Sequence, residues 1–375
     1  MKKINFFYLS LLAGALLTLG ACNDKDEVTP IEPTPENVGI FVLNEGTYGG
    51  TSNLGFYSYG TYQYTNAAYS GNLGAGANDM ITYGTKLYIS VTDANKIVVL
   101  NALTKEELKV IDVSTPRYLL ALKGKVYATS SKENKLYAID TTDSYNMKNV
   151  EVGHSPEQLT TTNGKIYVAN SGWREKLAGG DYDNHISVVN PSTLTVETNI
   201  TVADNITTIA ADTKTNVLYV NASAIYDGES TEPAVPSKLY IVNTATNTVA
   251  TSLSFGAEAI AVIPELQQAY LISHNYGDND GSKGQLLVMN TSSSTSPTVQ
   301  PFAASSNITN PYSLNFIYEA SSLYVGDASD YSSNGKMYIF AYDQYSGGLI
   351  SASQPIDVGV SPKAFAVSHY QSSEN

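Results

Sequence analysis

The chain has 375 residues, a hydrophobic fraction of 42% and a formal net charge of −14 at pH 7. An acidic chain without a basic cluster repels nucleic acid and anionic lipid surfaces, which argues against both as binding partners. A single Cys excludes a disulfide framework. The 28 Tyr residues exceed the 9 Phe and 1 Trp, and the many small polar residues are typical of twisted strands joined by tight turns.

Residues 1–21 have the layout of a secretory signal peptide. Lys2 and Lys3 precede an apolar run that ends at the small residues Gly20 and Ala21, directly before Cys22. Leu-Gly-Ala-Cys is similar to a bacterial lipobox, in which the thiol is lipidated, so we expect Cys22 to carry the lipid anchor. The alternative is an ordinary secretory signal followed by an unrelated Cys.

Residues 22–38 combine acidic side chains with prolines, which favours an extended tether between the anchor and the folded body. The alternative is a leader with no spacing role. The acidic residues after Cys22 also resemble the signal that exports some lipoproteins to the outer face of the outer membrane. No later stretch approaches 18 continuous apolar residues, so the lipid is the only membrane attachment that the sequence predicts.

One strand pair repeats through residues 39–369. Its clearest copy joins Lys165–Ala169 to Ile186–Asn190, two short segments rich in β-branched and aromatic residues and bounded by turn formers. A period of roughly 40 to 50 residues with room for four strands predicts an all-β, seven-bladed β-propeller. The aromatic residue that marks the first strand of each copy is Phe41, Tyr88, Tyr127, Tyr167, Tyr219, Tyr270 or Tyr324.

Outer and inner strands lie between the hairpins. Predicted outer strands are Thr195–Thr201 and Thr248–Phe255; predicted inner strands are Tyr118–Leu122, Gln158–Thr162, Ile206–Ala210, Ala259–Ile263 and Tyr312–Phe316. The last inner strand, Lys363–Ser368, has no hairpin after it, and the first hairpin has no inner strand before it. The sequence therefore predicts closure of the ring by N- and C-terminal strands that share a blade, with 370–375 as a tail. An open β-solenoid is the alternative.

Long loops cluster on one predicted face of the disc. The connections between the second and third strands of five blades are much longer than the four-residue turn of the second blade. Loops that lengthen on one face usually carry the binding function. The long connections are Asn44–Asn53, Ser171–Asn184, Ala222–Ser237, His274–Gly284 and Asp327–Gly335.

Aromatic and amide side chains on these loops are the candidate ligand-binding residues, because Tyr and Trp offer large contact areas with a polar group. The alternative is that such aromatics pack on their own blades. The predicted stacking or edge contacts are Trp173, Tyr182, Tyr226, Tyr276 and Tyr331. The predicted hydrogen-bonding residues nearer the central channel are Arg117, Asn170, Asn275 and Tyr312.

Signatures of catalysis and of metal binding are missing or incomplete. The four His form no HExxH motif, no Cys remains as a nucleophile, and no pair of carboxylates stands out, so the sequence predicts a protein that is not an enzyme. Asp278-Asn279-Asp280-Gly281 is superficially similar to a calcium loop but lacks its first acidic position and its bidentate Glu. We predict a solvated hairpin tip there, with neither metal nor cofactor.

The lipobox, the opening Phe41-Val42-Leu43-Asn44-Glu45-Gly46 and the Gly-Lys-Ile-Tyr-Val type repeats together resemble the YncE-like seven-bladed propeller lipoproteins of gut bacteria. The BtuG-type branch of that family captures vitamin B12 at the cell surface and caps a TonB-dependent transporter. The resemblance implies cobalamin or a related corrinoid as the ligand, that transporter as the partner, and an outer-membrane, lipid-anchored location. The alternatives are a glycan-binding subunit of an uptake complex, which a single Trp disfavours, and a surface adhesion protein.

Overall fold

A computed structural model describes residues 37–142, 144–228, 230–277, 283–343, 345 and 347–368. The signal segment, Cys22, most of the tether, the calcium-like Asp278–Asp280 stretch and the 370–375 tail lie outside the described residues. The regular structure of the described chain is almost entirely β-strand and forms seven antiparallel blades, which confirms the predicted all-β, seven-bladed propeller.

The first four blades use the following elements in chain order: β1 (Gly39–Asn44), β2 (Asn53–Ser58), β3 (Tyr64–Thr65), β4 (Ala77–Tyr83), β5 (Lys86–Val91), β6 (Lys96–Asn101), β7 (Glu107–Asp112), β8 (Pro116–Leu122), β9 (Lys125–Ser130), β10 (Lys135–Asp140), β11 (Met147–Glu151), β12 (Pro156–Thr162), β13 (Lys165–Asn170), α1 (Trp173–Leu177), β14 (His185–Asn190) and β15 (Thr195–Thr201).

The remaining strands are β16 (Ile206–Asp212), β17 (Val217–Ala222), β18 (Ile225–Tyr226), β19 (Pro233–Val235), β20 (Lys238–Asn243), β21 (Thr248–Leu253), β22 (Ala259–Ile263), β23 (Gln268–Ser273), β24 (Gln285–Asn290), β25 (Thr298–Pro301), β26 (Pro311–Ile317), β27 (Ser322–Asp327), β28 (Lys336–Asp343), β29 (Gly348–Ser351), β30 (Ile356–Asp357) and β31 (Pro362–Val367). A short 3-10 helix covers Ala303–Ser305.

Each blade is a four-stranded sheet whose innermost strand faces the central channel. From the channel outward, blade I is β31-β1-β2-β3, blade II β4 to β7, blade III β8 to β11, blade IV β12 to β15, blade V β16-β17-β20-β21, blade VI β22 to β25 and blade VII β26 to β29. Strands β18 and β19 form a small hairpin inside a loop of blade V, and β30 adds to β28. The seven innermost strands contact one another in a closed ring.

The propeller closes in blade I, where the sequence predicts that strands from the two ends of the repeat region pair. Strand β1 pairs antiparallel with β31, and Phe41 lies opposite Ala366. Ser368 extends the pairing, because its backbone N–H donates to the Gly39 carbonyl and its hydroxyl accepts from the Gly39 N–H, each at 3.0 Å. The shared blade leaves no open sheet edge between its neighbours.

The core lies in layers between adjacent blades. The repeated aromatic of each second strand is almost fully buried, from Phe41 in blade I to Tyr324 in blade VII. Residues of neighbouring blades mix in these layers; for example, Leu43 of blade I packs in the same cluster as Leu87 of blade II. Burying one such side chain contributes about 1.5 to 3 kcal/mol, so each blade depends on its neighbours.

Two corrections concern the strands. Inner strands begin earlier than predicted, at Pro116 instead of Tyr118 and at Pro156 instead of Gln158, because a proline is tolerated as the first residue of an edge strand. Outermost strands such as β7 and β11 have no counterpart among the predicted outer strands. Their residues are mostly exposed, so they lack the alternation by which strands are recognised.

Candidate functional site

A β-bulge at the start of the innermost strand directs one side chain of most blades toward the channel. The strand pairing shifts register there in blades I, II, III, IV, V and VII. A bulge leaves an extra residue outside the ladder and re-aims its side chain. We call the following set the channel-mouth ring; it comprises these bulge residues and Glu258, which precedes the innermost strand of blade VI: Lys363, Asn78, Arg117, Glu157, Thr207, Glu258 and Tyr312.

Arg117 and Trp173 are held by one buried carboxylate. The Nε of Arg117 donates to Oε2 of Glu157 at 2.8 Å, and the indole Nε1 of Trp173 donates to Oε1 of the same residue at 2.9 Å. Glu157 is 3% exposed. The guanidinium of Arg174 lies 4.2 Å from the Trp173 ring, in cation–π geometry. Both predicted site residues therefore belong to one rigid cluster, which Glu157 organises.

Tyr312 forms a second cluster on the other side of the ring. Its hydroxyl donates to the carboxylate of Glu45, and its ring meets that of Tyr331 edge to face at 5.6 Å. The Lys363 ammonium lies 4.8 Å from the Tyr312 ring centroid and 3.8 Å from Glu45. Tyr331 stays 44% exposed, so this cluster presents an aromatic surface to solvent on the long-loop face.

Burial in the channel controls the ionisation of several groups. It raises the pKa of Asp79 to about 6, although the N–H groups of Leu119 and Met80 and the charge of Lys363 act in the opposite direction. It raises the pKa of Tyr118 to about 12, against the effect of Arg117. Burial is the largest effect on Arg117 and opposes its charge, but Glu157, Tyr118 and Glu45 together outweigh it and the pKa of Arg117 is raised.

The insertion of blade IV is anchored on its neighbours. Its helix α1 begins after Gly172, which adopts a left-handed backbone with φ 67°. The Glu175 carboxylate accepts from Ser155 at 2.5 Å and from Asn134 at 3.1 Å, and the Nε of Arg174 donates to Ser131 at 3.0 Å. These contacts fix Trp173 over the rim of blade III.

Three predicted site residues make internal contacts instead of facing open solvent. Asn170 is fully buried and donates to the His185 carbonyl at 2.8 Å. Asn275 accepts from the Gly256 N–H at 2.7 Å and donates to the Ser237 carbonyl at 3.1 Å. Tyr276 packs edge to face on Phe255 at 5.0 Å. Asn170 thus bonds within its own blade, whereas Asn275 and Tyr276 contact residues that belong to blade V or to the connection between blades V and VI.

The other predicted aromatics remain accessible on the long-loop face. Tyr226 is 51% exposed on β18. Tyr182 is half-buried, with the Lys176 ammonium 5.6 Å from its ring centroid. Tyr48, in the blade I loop, is fully exposed. These residues surround the ring from several blades, as expected for a disc-shaped site.

Glu157, Lys363, Glu45 and Asp79 are the site residues that sequence reasoning missed. A usable signal was present for two of them. Glu157 and Lys363 directly follow the repeated prolines Pro156 and Pro362, as Arg117 and Tyr312 follow theirs. In these four blades the residue after the proline falls within the register shift, so the proline points to the ring wherever the repeat carries it.

A groove of about 430 Å³ lies apart from the ring, at the outer edge of blades I and II. It is lined by residues 67–71 and 104–107, and the Tyr69 hydroxyl donates to Glu107 within it.

Among the described residues no three His, Cys, Asp or Glu side chains converge as a metal site. None of the helices that the structure describes is long and apolar enough to cross a membrane.

Comparison with known proteins identifies the fold. No family model and no curated protein matches the sequence. Hydrazine synthase from Kuenenia stuttgartiensis is similar in structure, with a TM-score of 0.61 and 14% identity over 77% of this chain and 88% of that one. A Lactobacillus plantarum protein has a TM-score of 0.60 and 14% identity, over 88% of this chain and 99% of that one.

A proposed 6-phosphogluconolactonase from Bacteroides fragilis NCTC 9343 has a TM-score of 0.60 and 11% identity, over 90% of this chain and 99% of that one. The TM-scores show that these proteins share a fold with this chain, and at identities this low the similarity shows the fold alone. The chain is accordingly a seven-bladed β-propeller, an architecture suited to binding a ligand or a protein partner on the face of the disc.

Proposed function

We propose that the long-loop face captures a corrinoid, cobalamin above all, and holds it at the cell surface for a TonB-dependent outer-membrane transporter. The observation that carries this proposal is the channel-mouth ring with its surrounding aromatics. Trp173, Tyr226 and Tyr331 come from three different blades, so they can contact a broad ligand at several points of its periphery. The resemblance to the BtuG-type branch supplies the identity of the ligand.

The chemistry of the face suits a corrin. This ligand is a wide, largely apolar ring fringed with amides, so it needs aromatic contacts together with hydrogen-bond donors and acceptors, and no strong opposite charge. Tyr and Trp side chains offer both kinds of contact at low entropic cost.

Cobalamin binding tests the proposal directly. Purified protein mixed with excess cobalamin should elute from size exclusion with the visible absorbance of the corrin. Tyr331→Ala and Tyr226→Ala should each weaken binding roughly thirtyfold, the effect of losing about 2 kcal/mol at a buried contact.

Tyr62→Ala is the matched control for Tyr331→Ala. Both tyrosines have positive φ, 56° and 63°, and both are exposed, but Tyr62 lies in the turn between β2 and β3 on the opposite face. Its replacement should leave the affinity unchanged. Equal losses in both variants, or complete absence of cobalamin binding, would contradict the proposal.

A protein or glycan partner is the second candidate. Leu177 is 78% exposed and Tyr48 fully exposed on the same face, as expected for contacts with a macromolecule. A protein that binds no cobalamin but is retained with an outer-membrane protein complex would favour this function.

The location rests on Cys22. We expect Cys22→Ser to release the protein from the membrane or to stall removal of the signal segment, because a lipid is the predicted attachment. Fractionation of cells that express each form measures this, with Ser10→Ala within the signal segment as a control. Undiminished membrane association of Cys22→Ser would contradict lipidation.

A further inference from the structure

Two cations of the channel-mouth ring flank a neutral position. Lys363 of blade I and Arg117 of blade III lie on either side of Asn78 of blade II. Asn78 is 7% exposed, and its side-chain amide donates to the Arg117 carbonyl at 2.9 Å. The ring position between the two cations is therefore occupied by a short side chain that is already bonded to the backbone.

The same sector of the long-loop face is the lowest part of its rim. Only residues 92–95 separate the second and third strands of blade II, and only 131–134 those of blade III. The other five blades carry the long loops. The blade IV insertion packs on the blade III turn, where Arg174 donates to Ser131, so a ligand would approach Arg117 and Lys363 from above blade II, where the turn is short and carries no long loop.

Both cations keep unused hydrogen-bond donors. Arg117 donates through Nε to Glu157, and its two terminal nitrogens have no hydrogen-bond partner among the described residues. Of the five donors in a guanidinium, four are thus available in a fixed orientation. Lys363 has a long contact of 3.4 Å to the Tyr312 hydroxyl and a separation of 3.8 Å from Glu45.

The carboxyl groups that face the two cations are engaged elsewhere. Glu157 also accepts from Trp173, Glu45 also accepts from Tyr312, and Asp79 accepts from the backbone of Leu119 and Met80. Burial lowers the pKa of Lys363; Glu45 partly offsets this effect and Arg117 adds to it. The Lys363 side chain is 25% exposed, and a partly buried ammonium with incomplete pairing gains from an anionic hydrogen-bond acceptor.

We propose that the space between Arg117 and Lys363 binds an anionic oxygen group, a phosphodiester or a carboxylate, with Glu157 as the positioning residue that orients the Arg117 fork. The inference rests on the proposed function for its ligand, because cobalamin carries one phosphodiester in its nucleotide loop. It adds a specific role, since that phosphodiester would fix the orientation of the corrin on the face.

The first experiment uses dimethyl phosphate, a simple phosphodiester, with the full-length protein. Trp173 is the only Trp in the chain and is bonded to Glu157, so its fluorescence reports on the site. We expect a saturable fluorescence change and line broadening of the ³¹P signal. Lys363→Gln should weaken binding about tenfold or more, as expected for loss of a charge-assisted hydrogen bond.

Two further variants control for misfolding caused by an unpaired buried charge and for a general effect of lost positive charge. Arg117→Gln combined with Glu157→Gln removes both members of the buried ion pair, leaves no unpaired buried charge, and should also weaken binding about tenfold or more. Lys132→Gln removes an exposed positive charge from the 131–134 turn on the same face and should change nothing. A wild-type protein without a saturable response, or variants that titrate like wild type, would overturn the inference.

The second experiment compares cobalamin with cobinamide, which lacks the nucleotide loop and its phosphodiester. Wild type should bind cobalamin more tightly, and Lys363→Gln should reduce this preference about tenfold or more. If cobalamin binds but the preference survives the substitution, the anion site is wrong and the proposed function stands. If dimethyl phosphate binds and cobalamin does not, the anion site stands and the proposed function is wrong.

Discussion

Glu157 shows how one side chain can determine the positions of two others. Its two carboxylate oxygens are each used by a different donor, Arg117 and Trp173. A buried carboxylate left without a partner is strongly destabilising, so the three side chains are interdependent. At the residue scale, the site is therefore a set of shared hydrogen bonds in which the predicted ligand-binding residues depend on a partner outside that prediction.

Asp79 predicts a pH dependence of the unfolding free energy. Its pKa rises from 3.8 to about 6 on folding, chiefly through burial, so the folded protein binds this proton more tightly than the unfolded chain. The stabilising contribution is complete below about pH 4 and is lost as the pH rises through about 6. It amounts to at most about 3 kcal/mol. Asp79→Asn should flatten the fall in unfolding free energy between pH 4 and pH 7 in urea titrations.

Asp330 provides a control of opposite sign. Hydrogen bonds from Ser333 and Ser332 lower the pKa of Asp330 to about 2, so its contribution is present above pH 4 and is lost as the pH falls through about 2. Asp330→Asn should leave the range from pH 4 to pH 7 unchanged. A slope in Asp79→Asn equal to that of wild type would show that Asp79 is not the titrating group.

At the scale of the element, bulges and left-handed residues decide where side chains point. Thr115, Ser155 and Ser361 have positive φ directly before Pro116, Pro156 and Pro362. This backbone reverses the chain into the innermost strand, and the bulge that follows aims the next residue at the channel. A local turn repeated along the chain thereby produces a ring of side chains that are distant in sequence.

Gly172 is the most restrictive position of the blade IV insertion. Its φ is 67°, and a Cβ there would lie 2.0 Å from the Asp183 backbone nitrogen. Gly172→Ala should lower the unfolding free energy by about 3 kcal/mol or more and shift the fluorescence of the adjacent Trp173. Chemical denaturation followed by circular dichroism measures the first effect, and emission spectra measure the second.

Gly164→Ala is the control that separates the cost of backbone strain from the cost of a steric clash in the unfolding free energy. Gly164 lies in the same blade with φ 69° and has open space where a Cβ would be placed. Its substitution should cost only about 1 to 2 kcal/mol, the strain of a left-handed residue with a side chain, and should leave Trp173 emission unchanged. Equal costs at the two positions would mean that the close approach of Asp183 relaxes freely.

At the scale of the whole molecule, the circle of seven blades is closed by strand β31, the last strand of the described chain. Strand β31 pairs with β1 and also contacts β4 and β26, the innermost strands on either side. Phe365 is 3% exposed and packs against Tyr324 of blade VII. The removal of β31 therefore opens a sheet edge and uncovers the core of two interfaces.

Truncation after Val360 tests this closure. We expect a loss of more than about 5 kcal/mol, since one buried Phe alone contributes about 3 to 5 kcal/mol, together with aggregation through the exposed edge. Thermal unfolding and light scattering measure the two effects. Truncation after Ser368 is the control, because it keeps β31 whole. A protein truncated after Val360 that melts like this control would contradict closure by β31.

The sequence alone determined the repeat, the number of blades and the closure. These follow from local patterns, since each repeat carries an aromatic such as Tyr167 at the centre of a short apolar strand, and unpaired elements at the two ends complete each other. Two outermost strands were predicted, and the structure has them as β15 and β21, but others, such as β7 and β11, escaped prediction because their exposed residues show no clear alternation of apolar and polar side chains.

The site was decided by tertiary structure. Nothing local to Asn170 or Asn275 distinguishes an amide that closes a loop from one that meets a ligand; only the packed blades show that both are bonded internally. Likewise, Glu157 lies 40 residues from Arg117 and 16 from Trp173. Its contact with Arg117 arises because blades III and IV stack, and its contact with Trp173 arises because the blade IV insertion folds back on its own blade. Local residue patterns specify the blade, whereas the ring that the blades close brings distant side chains within hydrogen-bonding distance.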